Sequence, residues 1–110
     1  MRGCTATVQM EDERVRVTRY DFEPGGETGW HRHDMEYVIV TLTDCPLRLE
    51  LPGGETRDST IPAGASYSRP KGTEHNVINA GPLPMSFVEV ELKAPADAAA
   101  GTVRDARPVG

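Results

Sequence analysis

Apolar and polar residues alternate along much of this chain in short runs, and Gly and Pro break the runs at close intervals. Residues 47–51, LRLEL, set Leu47, Leu49 and Leu51 against Arg48 and Glu50. Residues 86–93, SFVEVELK, set Val88, Val90 and Leu92 against Glu89 and Glu91. A period of two belongs to a strand, whose successive side chains leave opposite faces. These runs therefore predict half-buried strands, aliphatic residues inward and charges toward water. Residues 14–22, RVRVTRYDF, begin with Val15 and Val17 on one face and continue with Tyr20 and Phe22 on the other, which predicts a bulge or bend. Turns are predicted at EPGGETG (23–29), LPGGE (51–55), IPAGA (61–65), RPKG (69–72) and NAGPLP (79–84). No helical period precedes residue 94. Many short strands with closely spaced turns predict an all-β sandwich or barrel.

The 110 residues suffice for one domain. Residues 1–13 read as an N-terminal strand or arm and 14–93 as the barrel. Residues 94–110, APADAAAGTVRDARPVG, hold few large apolar side chains and read as a flexible tail or an arm on a partner subunit. The net charge is −5, and the 12 basic residues are scattered, so neither nucleic acid nor an anionic membrane is an expected partner. No apolar run approaches the roughly 20 residues of a membrane span. The segment MRGCTATVQMEDE lacks the apolar stretch of a signal peptide, which makes the cytoplasm the expected compartment. Cys4 and Cys45 are the only cysteines, too few for a disulfide scaffold.

The candidate chemistry lies in GWHRHDMEYVIV, residues 29–40. His31 and His33 are two apart, so on a strand both imidazoles leave the same face, where they suit a divalent metal. His75 stands in GASYSRPKGTEHNVIN. From Gly64 that segment has the form G-x5-P-x-G-x2-H-x3-N, made of Gly64, Pro70, Gly72, His75 and Asn79. It matches the second motif of the cupin superfamily, and Gly25, His31 and His33 match the start of the first. The chain thus resembles a small single-domain cupin. ETGWHRH, YVIVTLTD and EHNVINAG look like the group related to the β-alanine degradation protein.

This resemblance implies a double-stranded β-helix, the cupin jelly-roll barrel, with His31, His33 and His75 converging inside its mouth. It implies a divalent metal: iron, manganese, nickel, cobalt, copper or zinc. Gly64, Pro70 and Gly72 would shape turns, and Asn79 would be a structural hydrogen-bonding residue. The family's ligating Glu follows the second His after three or four residues, whereas here Glu36 follows His33 after two. The usual spacing lands on Tyr37, in phase with both histidines. The even positions Val38, Val40 and Leu42 form the more purely apolar face, and they share it with Glu36. If that face points inward, a bulge after His33 makes Glu36 the fourth ligand or a close partner of the ligands, and the apolar phase favours this reading. In a regular strand the site has three histidines and Tyr37 faces the pocket.

Tyr37 and Tyr67 are candidate catalytic groups, and Arg69 could clamp a substrate carboxylate with its planar fork. Trp30 and Phe22 read as packing residues. The expected function is metal binding with Lewis-acid or dioxygen chemistry on a small oxygen-rich metabolite: a carboxylate, dicarbonyl or sugar derivative. The alternative is a non-catalytic small-molecule binder or sensor. A homodimer is expected, because residues 37–42 are apolar on both faces of one strand and one face needs cover.

Overall fold

In the computed structural model, which describes residues 1–93, the alternating runs become nine β-strands with no α-helix. The expected C-terminal tail lies outside the described residues. The strands are β1 Arg2–Glu11, β2 Val15–Glu27, β3 His31–Arg32, β4 Glu36–Thr41, β5 Cys45–Glu50, β6 Thr56–Ile61, β7 Ser66–Arg69, β8 Glu74–Asn79 and β9 Met85–Leu92. All pairings are antiparallel. The fold is all-β: a single-domain double-stranded β-helix, or jelly-roll barrel. No helix among the described residues is long and apolar enough to cross a membrane.

β2 closes the barrel. Its first eight residues, Val15 to Phe22, pair with β9 in a flank ordered β1-β2-β9-β4-β7. Its last residue, Glu27, pairs with Ile78 of β8, in the opposite flank β6-β5-β8 that also carries β3. The strand changes flanks at Pro24–Gly25–Gly26. Gly25 has φ of 79°, the left-handed region that glycine enters without steric cost. At Gly26 a Cβ would stand 2.1 Å from the Gly3 carbonyl oxygen, so β1 can approach the bend only because that side chain is absent.

The interior is the opposite of the aliphatic expectation for three strands. On β9, Met85, Phe87, Glu89 and Glu91 are buried, while Val88, Val90 and Leu92 face out and are half-buried. On β4, Tyr37, Ile39 and Thr41 are buried and Val38 and Val40 face out. On β2 the inward set is Thr18, Tyr20 and Phe22, in unbroken register with β9, so the bulge expected there is absent. The irregularities lie across the ladder in β1, between Arg2 and Cys4 and between Val8 and Met10.

Ring size explains the inversion. Tyr20, Phe22 and Phe87 fill the barrel as one cluster, with Tyr20–Phe87 and Phe22–Phe87 centroids each 5.4 Å apart. Burying each such ring contributes about 1.5–3 kcal/mol. The smaller valines are left outside in cross-strand rows, Val17–Val90–Val38 among them, where β-branched side chains shield one another. β5 keeps its expected phase, with Cys45 and Leu47 buried and Leu49 packed against the core. Both cysteines are free. Phe22 is a packing residue as expected, but Trp30 is 53% exposed and is not.

This phase has a direct test in urea unfolding followed by circular dichroism. Phe87→Ala should cost about 3–5 kcal/mol and Val88→Thr less than about 1.5 kcal/mol. Equal costs would place the wrong face of β9 inside.

Candidate metal centre

Three histidines reach one point from two elements. His31 lies on β3, directly opposite His75 on β8. His33 follows the end of β3, where its N–H donates to the Thr73 carbonyl and its own carbonyl accepts from the Gly72 N–H, each at 2.8 Å. The β7–β8 turn, built on Pro70 and Gly72, therefore seats His33. The Nε2 atoms of His31 and His33 are 3.0 Å apart, and those of His33 and His75 are 3.1 Å apart.

The tautomer of His31 follows from its surroundings. Nδ1 of His31 lies 2.9 Å from the Gly29 carbonyl oxygen, which can only accept. Nδ1 therefore carries the proton and Nε2 presents its lone pair to the centre. Gly29 is itself fixed, donating its N–H at 2.8 Å to the Asn76 side-chain oxygen, while the Asn76 amide donates to Glu27 and Glu50 at 2.9 Å each. Nδ1 of His33 faces a Glu89 carboxylate oxygen at 3.9 Å, again on the side away from the centre.

Burial disfavours charge on these rings. His33 is pushed down to about 4, by burial first and then by His31. His75 is pushed down to about 3, by burial and then by His31 and His33. Both are neutral at physiological pH, as a metal ligand must be.

Glu36 is a correction. It is exposed at the start of β4, opposite Leu92 in regular register, and it is not among the groups whose donor atoms converge. The bulge expected after His33 does not form. The chain instead leaves strand geometry through His33, Asp34 and Met35, passing from β3 in one flank to β4 in the other. This break resets the alternation and brings Tyr37 inward. The Tyr37 ring stacks on His33 at 3.9 Å between centroids. Its hydroxyl is the one buried side-chain polar atom among the described residues with no hydrogen-bond partner. Burial and the nearby Glu89 push its ionisation upward, so it is a proton donor.

Glu89 was missed, because the alternation of β9 seemed to send it to water. It is 5% exposed, and burial together with the charge on Glu91 raises it to about 7. Glu91 is paired with Arg16, which donates hydrogen bonds of 2.7 and 3.0 Å to its two oxygens. The available signal was that Glu89 and Glu91 share parity with Met85 and Phe87.

A small cavity, about 40 Å³ by the space open to water centres, adjoins the histidines; Tyr37, Tyr67, Arg69 and Glu89 line it. Asn79 stands apart from it, donating to the carbonyls of Glu23 and Leu83 and accepting from the Gly81 N–H. Gly64 and Gly72 sit in the turns on either side of β7. Cys45 is fully buried, and burial raises its thiol above the ordinary value.

The Cupin domain family matches residues 18–91. The Beta-alanine degradation protein BauB of Pseudomonas aeruginosa is 51% identical over 87 residues, covering 79% of this chain and 90% of that protein. A crystal structure of a cupin domain from Bordetella pertussis Tohama I is 54% identical, covers 84% of this chain and 96% of that one, and superposes with a TM-score of 0.80. The polyketide cyclase RemF from Streptomyces resistomycificus has a TM-score of 0.68 at 22% identity, over 82% of this chain and 65% of that one, a likeness of fold alone.

Glu89 gives a pH prediction for the metal-free protein. Its folded value lies above its unfolded one, so its contribution is fully present below about 4.5 and is lost as pH rises through about 7. Glu89→Gln should therefore stabilise the protein at pH 8 more than at pH 5, by up to roughly 3 kcal/mol. Urea unfolding in chelator at the two pH values measures the difference; no difference would mean that Glu89 is solvated.

Proposed function

The chain belongs to the cupin family, and within it we propose a metal-dependent enzyme acting on a small oxygen-rich metabolite. The observation that carries this reading is the convergence of three imidazole Nε2 atoms, two of the separations being 3.0 and 3.1 Å. Three neutral imidazoles whose Nε2 atoms meet at one point can turn their lone pairs together on a cation placed between them. Nitrogens bound about 2.1 Å from one ion stand about 3.0 Å apart when their bonds meet at a right angle, and about 3.4 Å apart in a tetrahedron. Two of the separations, 3.0 and 3.1 Å, lie within the span that either geometry needs, and a nitrogen donor set suits iron(II), manganese, cobalt, nickel, copper or zinc. His31, His33 and His75 would hold it and leave open positions, with no carboxylate from Glu36. When bound, such an ion supplies Lewis acidity or redox activation of dioxygen.

Catalysis is favoured over mere binding by what else lines the cavity. Among the described residues, Glu89 is buried in its wall with no Lys or Arg paired to it, and Tyr37 holds an unpartnered hydroxyl proton. These groups can take up and release protons beside the histidines. The name of the 51% identical relative supports a substrate among the small compounds of β-alanine breakdown. Two free cysteines suit a cytoplasmic setting.

We also propose a homodimer. The outward valines of β2, β9 and β4 make an apolar face that a second copy can cover. Light scattering at micromolar concentration should give twice the chain mass, and Val90→Lys should halve it; a monomeric wild type would refute the pairing.

Elemental analysis of untagged protein should find one divalent ion per chain. His75→Ala should lose it while keeping the barrel's circular dichroism, and Glu36→Gln should retain it. Undiminished metal in His75→Ala would overturn the centre. Substrate-dependent oxygen uptake, tested across small amino, hydroxy and oxo acids, then separates dioxygen chemistry from Lewis-acid chemistry.

A further inference from the structure

We infer that the cavity selects a small monocarboxylate, held at the mouth by Arg69 and the Tyr37 hydroxyl, with the rest of the molecule turned toward the histidines. The inference deepens the proposed function and rests on it for the location of the reacting centre.

Arg69 ends β7 directly opposite Tyr37 on β4, and both line the cavity. Two contacts orient its guanidinium: it lies over the Tyr67 ring at 4.7 Å, and Nη1 donates to the Ser68 carbonyl at 3.0 Å. The Nε–Nη2 edge has no hydrogen-bond partner among the described residues, and no carboxylate there lies within ion-pair distance of Arg69. That edge carries two parallel N–H donors, the fork that matches one carboxylate.

Charge in the cross-strand row explains why Arg69 is available. The row runs Arg69, Tyr37, Glu91, Arg16 across β7, β4, β9 and β2. Glu91 is the nearest acid in it, and Arg16 holds both of its oxygens on the far side of Tyr37. The structure thus spends one arginine on the internal acid and keeps the other at the entrance. Tyr37 adds a second feature. A buried hydroxyl without a partner costs about 1–3 kcal/mol, and an acceptor brought in by a ligand would offset that cost.

Among the described residues Arg69 is the only Lys or Arg lining the cavity, and Glu89 lies in the same wall. A single guanidinium fork matches one carboxylate, and a second anionic group at the same end of the ligand would face Glu89 without a cation. A neutral sugar would leave the fork unused.

Propionate, with its neutral isostere propionamide as control, tests the inference by titration calorimetry on metal-free and manganese-loaded protein. Propionate should saturate both forms of the wild type, and propionamide should bind at least about 10-fold more weakly. Arg69→Gln should weaken propionate about 10-fold or more, Arg69→Lys less, since it keeps charge without the fork, and Tyr37→Phe about 3–10-fold. All three variants should take up manganese as the wild type does. Equal propionate affinity in wild type and Arg69→Gln would overturn the inference, as would no propionate binding to either wild-type form. If the wild type binds propionate through Arg69 yet takes up no metal, the carboxylate site stands and the metal-dependent reading falls.

Discussion

A barrel this small can enclose two buried imidazoles, a half-buried third and two buried carboxylates only where their polar atoms are paired or their charge is suppressed. Each unpaired buried polar group would cost a kcal/mol or more, and an unpaired charge far more. Two pairings meet that constraint and dictate the arrangement. Arg16 reaches in from β2 to hold Glu91. Gly29 and Asn76 fix His31 from behind, so that its free nitrogen faces the other two rings. The inward phase of β9, the seat of His33 on the β7–β8 turn and the stacking of Tyr37 all follow. The polar groups occupy the mouth, and the aromatic cluster of Tyr20, Phe22 and Phe87 fills the rest.

Much of this was legible in the sequence. Closely spaced turns and period-two runs indicated an all-β barrel, and the His75 segment carried enough matched positions to identify the superfamily and its second motif. The face of each strand was harder to read. Alternation says that two faces differ without saying which one is inside, and aliphatic content was a misleading guide. Val88, Val90 and Val38 are outside because aromatic residues of opposite parity occupy the interior. Aromatic phase marks the inside of every strand of this barrel that carries a Phe or Tyr: Phe22, Tyr37, Tyr67 and Phe87 all face in.

Glu36 was misassigned for a related reason. The residues HRHDMEY were treated as one strand, so parity was carried across them, with a bulge to repair it. The chain instead leaves one flank of the barrel and enters the other between His33 and Glu36. Parity has no meaning across such a crossing, because the two strands answer to different neighbours. Glu89 and Asn76 escaped notice because long-range pairing defines their roles. Each needs the position of a residue more than 20 places away, and no local pattern supplies that.

Trp30, the chain's single tryptophan, sits one residue before His31 with its indole more than half in water. Indole emission depends on the polarity around the ring, and here the native environment is already aqueous. Denaturation therefore changes those surroundings little, and intrinsic fluorescence is a poor gauge of whether the barrel is folded. The same placement makes it a sensitive gauge of the neighbouring site. A quencher arriving beside His31 dims an indole that unfolding scarcely alters, so the chain's optical signal is coupled to occupancy rather than to global structure.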